Sequence, residues 1–180
     1  MFEKTIFKFG LFVCIPLFIV AYTLSRWPYT FIAVVHFFPP PVVEVGDDMV
    51  DANLIDINGK KQRLSDYSGK YLLLNFWSRN CGSSTMALSE MKEVSENYRE
   101  NLTGIGINVD ANTGWKEATS RYDISWVNFR DRKGHGGLAA KYGSDLTVPY
   151  FVIISPDGKI VDKWFRSEGS IEEKVSKTVK

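Results

Sequence analysis

The stretch YLLLNFW at Tyr71–Trp77 constrains this chain more than any other. Nearly every side chain in it is apolar and there is no polar alternation. A strand of that kind is buried on both faces, which happens inside a parallel sheet covered by helices. After a short polar turn, Ser78-Arg79-Asn80, the pattern changes period. From residue 81 to about 99, Met86 or Ala87, Met91, Val94 and Tyr98 recur at helical spacing. The unit is therefore strand, turn, helix, with Cys81 opening the helix. The first turn of a helix has unpaired N–H groups and a partial positive charge, and both favour thiolate over thiol.

The flanking sequence extends the pattern. Residues 53–57 and 61–64 flank Asn58-Gly59, a hairpin signal, and Ser65 and Asp66 suit a helical turn. Strands are predicted at 102–109 and 126–130, and short helices at 115–122 and 137–142. Residues 150–155 and 159–165 flank Pro156-Asp157-Gly158, a second tight hairpin. Ser170 can cap a closing helix with Glu172 and Glu173 in its first turn. The order β-β-(α)-β-α-β-α-β-α-β-β-α predicts an α/β fold with a mixed central sheet flanked by helices. Functional residues in such sheets gather beyond the carboxyl ends of the parallel strands, where Cys81 lies.

Ahead of this pattern, seventeen uncharged residues separate Lys8 from Arg26. As a helix they span about 26 Å, enough to cross a bilayer core if Lys8 snorkels. The reading is one N-terminal transmembrane anchor over residues 1–26, or alternatively an uncleaved or cleaved signal segment. Thr23-Leu24-Ser25 is a poor cleavage site. Lys4 and Lys8 keep the N-terminus inside, so the rest is expected in the periplasm or at the cell exterior, tethered to the cytoplasmic membrane by a single pass. Residues 27–43 read as an interfacial segment (27–38, with Trp27, Tyr29 and His36) and a polyproline linker, Pro39-Pro40-Pro41. The apolar part could instead pack on a membrane-protein partner. The remaining domain is 44–180.

Composition excludes several classes. Lys+Arg 22 against Asp+Glu 21 leaves no basic surplus for nucleic acid. The chain has only two cysteines, Cys14 and Cys81, and Cys14 lies in the apolar N-terminal run. A disulfide-stapled scaffold and a cysteine-rich zinc site are both ruled out for the folded part. Neither a phosphate loop nor a metal-binding carboxylate spacing is visible, so no cofactor or metal is expected.

Several pieces, in order, carry a family resemblance: residues 54–64, Leu64-Ser65-Asp66-Tyr67-Ser68-Gly69-Lys70, residues 72–77 before Cys81, Ile107-Asn108-Val109-Asp110, Val148-Pro149-Tyr150-Phe151-Val152-Ile153-Ile154 and Pro156-Asp157-Gly158-Lys159-Ile160. Over residues 44–180 the chain resembles the thioredoxin-like superfamily. It is most similar to the membrane-anchored TlpA/ResA group, which overlaps in sequence with the AhpC/TSA redoxins. The resemblance implies a thioredoxin-like fold, thiol–disulfide chemistry at Cys81, and a cis-proline at Pro149 beside the thiol. It implies too that the backbone of Val148 pairs with an extended substrate segment, and that Trp77 and Asn80 border the substrate.

The departures from that pattern carry information. Where the family has W-C-x-x-C, this chain has Asn80-Cys81-Gly82-Ser83-Ser84. Cys81 takes the attacking position and Ser84 that of the resolving cysteine. Ala87 stands where the TlpA/ResA group tends to place a glutamate. Serine cannot accept thiol exchange. Cys81 alone could still form mixed disulfides that a thiol from another molecule, either a protein client or an external reductant, would resolve. Ser84 could hydrogen-bond the thiolate, while Ser83 and Thr85 read as helix caps. His135, in Gly134-His135-Gly136-Gly137, could approach the thiol and help ionise it, or be a surface histidine. Two other functions stay open: a non-catalytic binding subunit of a membrane complex, and a redoxin-type peroxidase. The peroxidatic motif P-x-x-x-[ST]-x-x-C has its hydroxyl at Ser78, but Leu74 stands where it requires proline.

Overall fold

A computed structural model describes residues 41–111, 114–144 and 147–179. The expected anchor, residues 1–26, and the expected interfacial segment, 27–38, lie outside the described residues. Among the described residues no helix is long and apolar enough to cross a membrane.

The strand predicted over Tyr71–Trp77 (β3) forms with those bounds and is an interior strand of a seven-stranded sheet. The others are β1 (Asn53–Asp56), β2 (Lys61–Arg63), β4 (Leu102–Asn108), β5 (Val127–Arg130), β6 (Tyr150–Ile154) and β7 (Ile160–Phe165). Their order across the sheet is β2-β1-β5-β4-β3-β6-β7. β3, β4 and β5 run parallel, and β1, β2, β6 and β7 pair antiparallel, so the sheet is mixed as expected. β3 has a parallel neighbour on one side (Tyr71↔Leu102 to Trp77↔Asn108) and an antiparallel one on the other (Leu72↔Ile154 to Phe76↔Tyr150). That placement makes its apolar run necessary, because both of its faces are covered.

One face packs Leu72, Leu74 and Phe76 against Ile105, Ile107, Phe129 and the helix α3 (Leu138–Tyr142). The other packs Leu73 against Met91 and Val94 of α1 (Gly82–Asn97) and Ile171 and Val175 of α4 (Ile171–Thr178). Each large apolar side chain so buried contributes about 1.5–3 kcal/mol. A further helix, α2 (Trp115–Arg121), places Ala118 against Trp77 and Leu88.

The buried stripe of α1 is Ser84, Ala87, Leu88, Met91 and Val94. Ala87, rather than Met86, takes the inward position, and Met86 is 79 % exposed. The helix lies so close to β4 that a Cβ on Gly104 would sit 2.1 Å from Ser95 Oγ. Ser170 Oγ caps α4 by accepting from Glu173 N (3.1 Å), as the sequence predicts. Glu90 of α1 adds to this, its Oε1 accepting from Ile171 N at 2.7 Å and Glu172 N at 3.2 Å. The first hairpin forms, but Asn58-Gly59 is not a two-residue loop. Asp56 N donates to Lys60 O, the connection spans residues 57–59, and Gly59 takes the left-handed conformation (φ 86°) that L side chains avoid.

Candidate active site

β3 ends at Trp77, and three residues carry the chain to Cys81, the N-cap of α1, in extended conformation (φ −112°, ψ 113°). Cys81 O accepts from Thr85 N at 3.1 Å to start the helix. The sulfur therefore sits beyond the carboxyl end of the parallel strand β3. It is partly exposed and forms no disulfide. Cys81 Sγ lies 3.1 Å from Ser83 Oγ, and the thiol donates to Val148 O at 3.3 Å. The Val148–Pro149 bond is cis. Two segments far apart in sequence, the start of α1 and the approach to β6, thus meet at the sulfur.

The thiol ionises below its ordinary value. Burial is the largest single influence and raises it. The Ser83 hydroxyl, the Ser84 N–H, the Ser84 hydroxyl and the Ser83 N–H together outweigh that burial by favouring the thiolate. Neither N–H makes a capping bond of ordinary geometry to the sulfur as a thiol, and Ser84 Oγ is fully buried with no hydrogen-bond partner. These donors gain an acceptor when the sulfur becomes an anion. The contact to Val148 O works the other way. It needs the S–H, so ionisation releases that carbonyl.

The turn before the cysteine is held by Asp110, a buried carboxylate just past β4. Asp110 Oδ1 accepts from Ser78 Oγ (2.6 Å) and Asn80 Nδ2 (3.4 Å), and Oδ2 accepts from Arg79 N (3.0 Å) and Asn108 Nδ2 (2.9 Å). Ser78 Oγ in turn accepts from Asn80 N at 3.1 Å. One side chain thereby fixes all three residues between strand and helix. Sequence reasoning missed this role, although Asn108-Val109-Asp110 at a parallel strand's carboxyl end was the available signal.

The structure redistributes the expected site residues. Cys81, Ser84, Val148 and Pro149 come together, and Asn80 is exposed beside them. Trp77 does not border a substrate: it is 0 % exposed and its Nε1 donates to Asn128 Oδ1 (3.1 Å). Its position in β3 places its ring in the core. The serine roles are also partly exchanged. Ser83, read as a cap, holds the contact to the sulfur, while Ser84 is turned inward by the helical stripe it belongs to. Thr85 does bond the helix start, donating to Gly82 O at 2.9 Å. His135 is not among the groups acting on the sulfur. It sits in a 3-10 turn (Gly134–Gly136) before α3, where Asp131 accepts from Lys133 N and Leu138 N.

This geometry can be set beside known proteins. The sequence model of the AhpC/TSA family matches residues 45–163, from before β1 into β7. The chain belongs to the AhpC/TSA family. Among the relatives of this AhpC/TSA chain is the thiol-disulfide oxidoreductase ResA of Bacillus thuringiensis, 28 % identical over 140 residues (75 % of this chain, 79 % of the relative). The ResA of Geobacillus kaustophilus is 36 % identical over 120 residues (66 % and 67 %). A solved thiol-disulfide oxidoreductase from Bacteroides fragilis superposes with a TM-score of 0.64 at 28 % identity, covering 73 % of this chain and 98 % of that one. The thioredoxin domain of an oxidoreductase from Bacteroides vulgatus, at 23 % identity and TM-score 0.68, covers 77 % of this chain and 99 % of its own and shows the same fold. The fold is thioredoxin-like, and the chain is homologous to ResA/TlpA-type proteins.

Proposed function

We propose that this chain is a thiol–disulfide oxidoreductase of the ResA kind, working with one nucleophilic sulfur and a resolving thiol supplied from outside. Residues 1–26 anchor it in the cytoplasmic membrane and the folded domain faces the periplasm or cell exterior. The apolar segment 27–38 rests at the membrane surface or on a membrane-protein partner. The observation that carries the reading is the sulfur itself: Cys81 Sγ at the start of α1, 3.1 Å from Ser83 Oγ and 3.3 Å from Val148 O, partly open to solvent.

The chemistry follows from that placement. Cys81 loses its proton to solvent, and the thiolate attacks one sulfur of a client disulfide. One S–S bond breaks, another forms to Cys81, and the client's second sulfur leaves as a thiolate. Val148 O, released by the ionisation, accepts a hydrogen bond from an extended client segment laid beside it. Ser84 cannot complete the cycle, because its oxygen does not take part in disulfide exchange. An outside thiolate attacks Cys81 Sγ and the client leaves reduced. A second outside thiol then frees Cys81. In balance, one client disulfide is reduced and two outside thiols become one disulfide.

The test is acid-quenched isolation of the full chain from cells, followed by mass spectrometry of Cys81. The expected result is a mixed disulfide on Cys81 that disappears on reduction and in Cys81→Ser. A Cys81 that is always free, with clients indifferent to Cys81→Ser, would leave the domain as a binding scaffold and refute the reading.

A further inference from the structure

Beside the thiol, the carboxyl ends of β3 and β5 and the start of α2 carry a row of cations. Arg79 is exposed two residues before Cys81, and its guanidinium lies over Gly114, where an added Cβ would be 2.7 Å from Arg79 Cζ. Gly114 leads into α2, whose Lys116 is exposed. Arg130 closes the row from β5, its Nη2 donating to Ala111 O at 2.7 Å, one residue past the Asp110 that holds the active-site turn. Lys116, Arg130 and Arg132 line one open cleft of about 340 Å³ with Ile55, Gly59 and Trp115.

Among the described residues, the ion pairs engage other lysines and arginines, such as Lys92, Lys163 and Lys174, and none engages Arg79, Lys116, Arg130 or Arg132. Asp110 and Asp131 are buried and accept from backbone N–H groups. Glu117 on α2 is exposed, and Asp56, beside the cleft-lining Ile55, is partly exposed, its Oδ1 accepting from Asn58 N and Lys60 N. The molecule as a whole is nearly neutral, at +1, so this row is a local concentration of charge rather than a general property of the surface. A surplus of one sign around a cleft raises the local concentration of the opposite charge.

We propose that this row selects the client: an acidic polypeptide segment, its carboxylates on Arg79, Lys116, Arg130 and Arg132, its disulfide presented to Cys81. This rests on the thiol-exchange reading for its chemistry, but the recognition can be measured without it.

Two measurements on the full chain in neutral detergent test it. In the first, cysteine peptides of equal length, flanked by Asp or by Lys, are supplied as mixed disulfides with thionitrobenzoate. Cys81 attacks the peptide sulfur, the new S–S bond joins peptide to Cys81, and coloured thionitrobenzoate leaves. The acidic peptide is expected to react about tenfold faster at low salt. The difference should close as ionic strength passes ~0.15 M, where screening acts over about 8 Å. In the second, fluorescent serine versions of the same peptides are titrated by anisotropy, and only the acidic one is expected to bind. The variant Arg79→Gln/Lys116→Gln/Arg132→Gln, confined to exposed side chains, should lose that binding. Equal binding of both peptides, or binding unchanged in the triple variant, overturns the proposal. Absence of thionitrobenzoate release from either peptide, with acidic binding retained, refutes the thiol reading and leaves the recognition row standing.

Discussion

Cys81 reacts as a thiolate, so the donors around it set its working range. Its rate of alkylation by iodoacetamide should rise with pH through the ionisation and level off above it. Because the folded environment holds the thiol below its ordinary value, the plateau should begin at lower pH than for free cysteine. Ser83→Ala removes the hydroxyl 3.1 Å from the sulfur, and the profile should move to higher pH. An unmoved profile would show that the Ser84 hydroxyl and the backbone N–H groups hold the thiolate without the Ser83 hydroxyl. Ser84 gives a second test. Its side chain fills the second sulfur's position, one helical turn on and fully buried. Ser84→Cys should let the introduced sulfur attack the mixed disulfide and expel the client without an outside thiol. Single-turnover release of a labelled client would measure this, and release still requiring added thiol would count against it. That this position is serine was legible in the sequence. That its hydroxyl is sealed under the helix, while Ser83 takes the contact, was not, because the split depends on which face of α1 meets the sheet.

At the scale of elements, the join between β3 and α1 depends on a residue from a different strand. Asp110→Ala deprives Ser78 Oγ, Arg79 N and Asn80 Nδ2 of their acceptor. Leaving such donors unpaired costs about 1–3 kcal/mol. The expected outcome is a lower denaturant midpoint together with slower Cys81 alkylation, since the turn no longer holds the sulfur at the helix start. Loss of stability with unchanged alkylation would assign Asp110 to the fold alone. The element boundaries show the same division. β3 was readable to the residue, because a strand buried on both faces is apolar almost throughout, Asn75 being the one exception. The helix expected over 137–142 begins one residue later and follows a 3-10 turn. The Asp131 carboxylate that organises that turn is local in sequence, but no periodic pattern announces it.

At the scale of the whole molecule, the proposed topology makes a direct prediction. If the anchor exports the domain, a membrane-impermeant maleimide should label Cys81 in intact cells. A protein labelled only after lysis would place the domain inside. The sequence by itself determined the α/β class, the order of strands and helices, and the strand–turn–cysteine–helix unit, because each follows from local periodicity and turn chemistry. It also determined that no second sulfur stands at position 84. Only the tertiary structure decided what surrounds the one sulfur. Val148 lies 67 residues from Cys81, and Asp110 lies 32 residues from Ser78. Trp77, which the family pattern placed at the substrate, belongs to the core. Contacts between distant segments are set by sheet order and helix packing, and one strand's sequence contains no record of its neighbours.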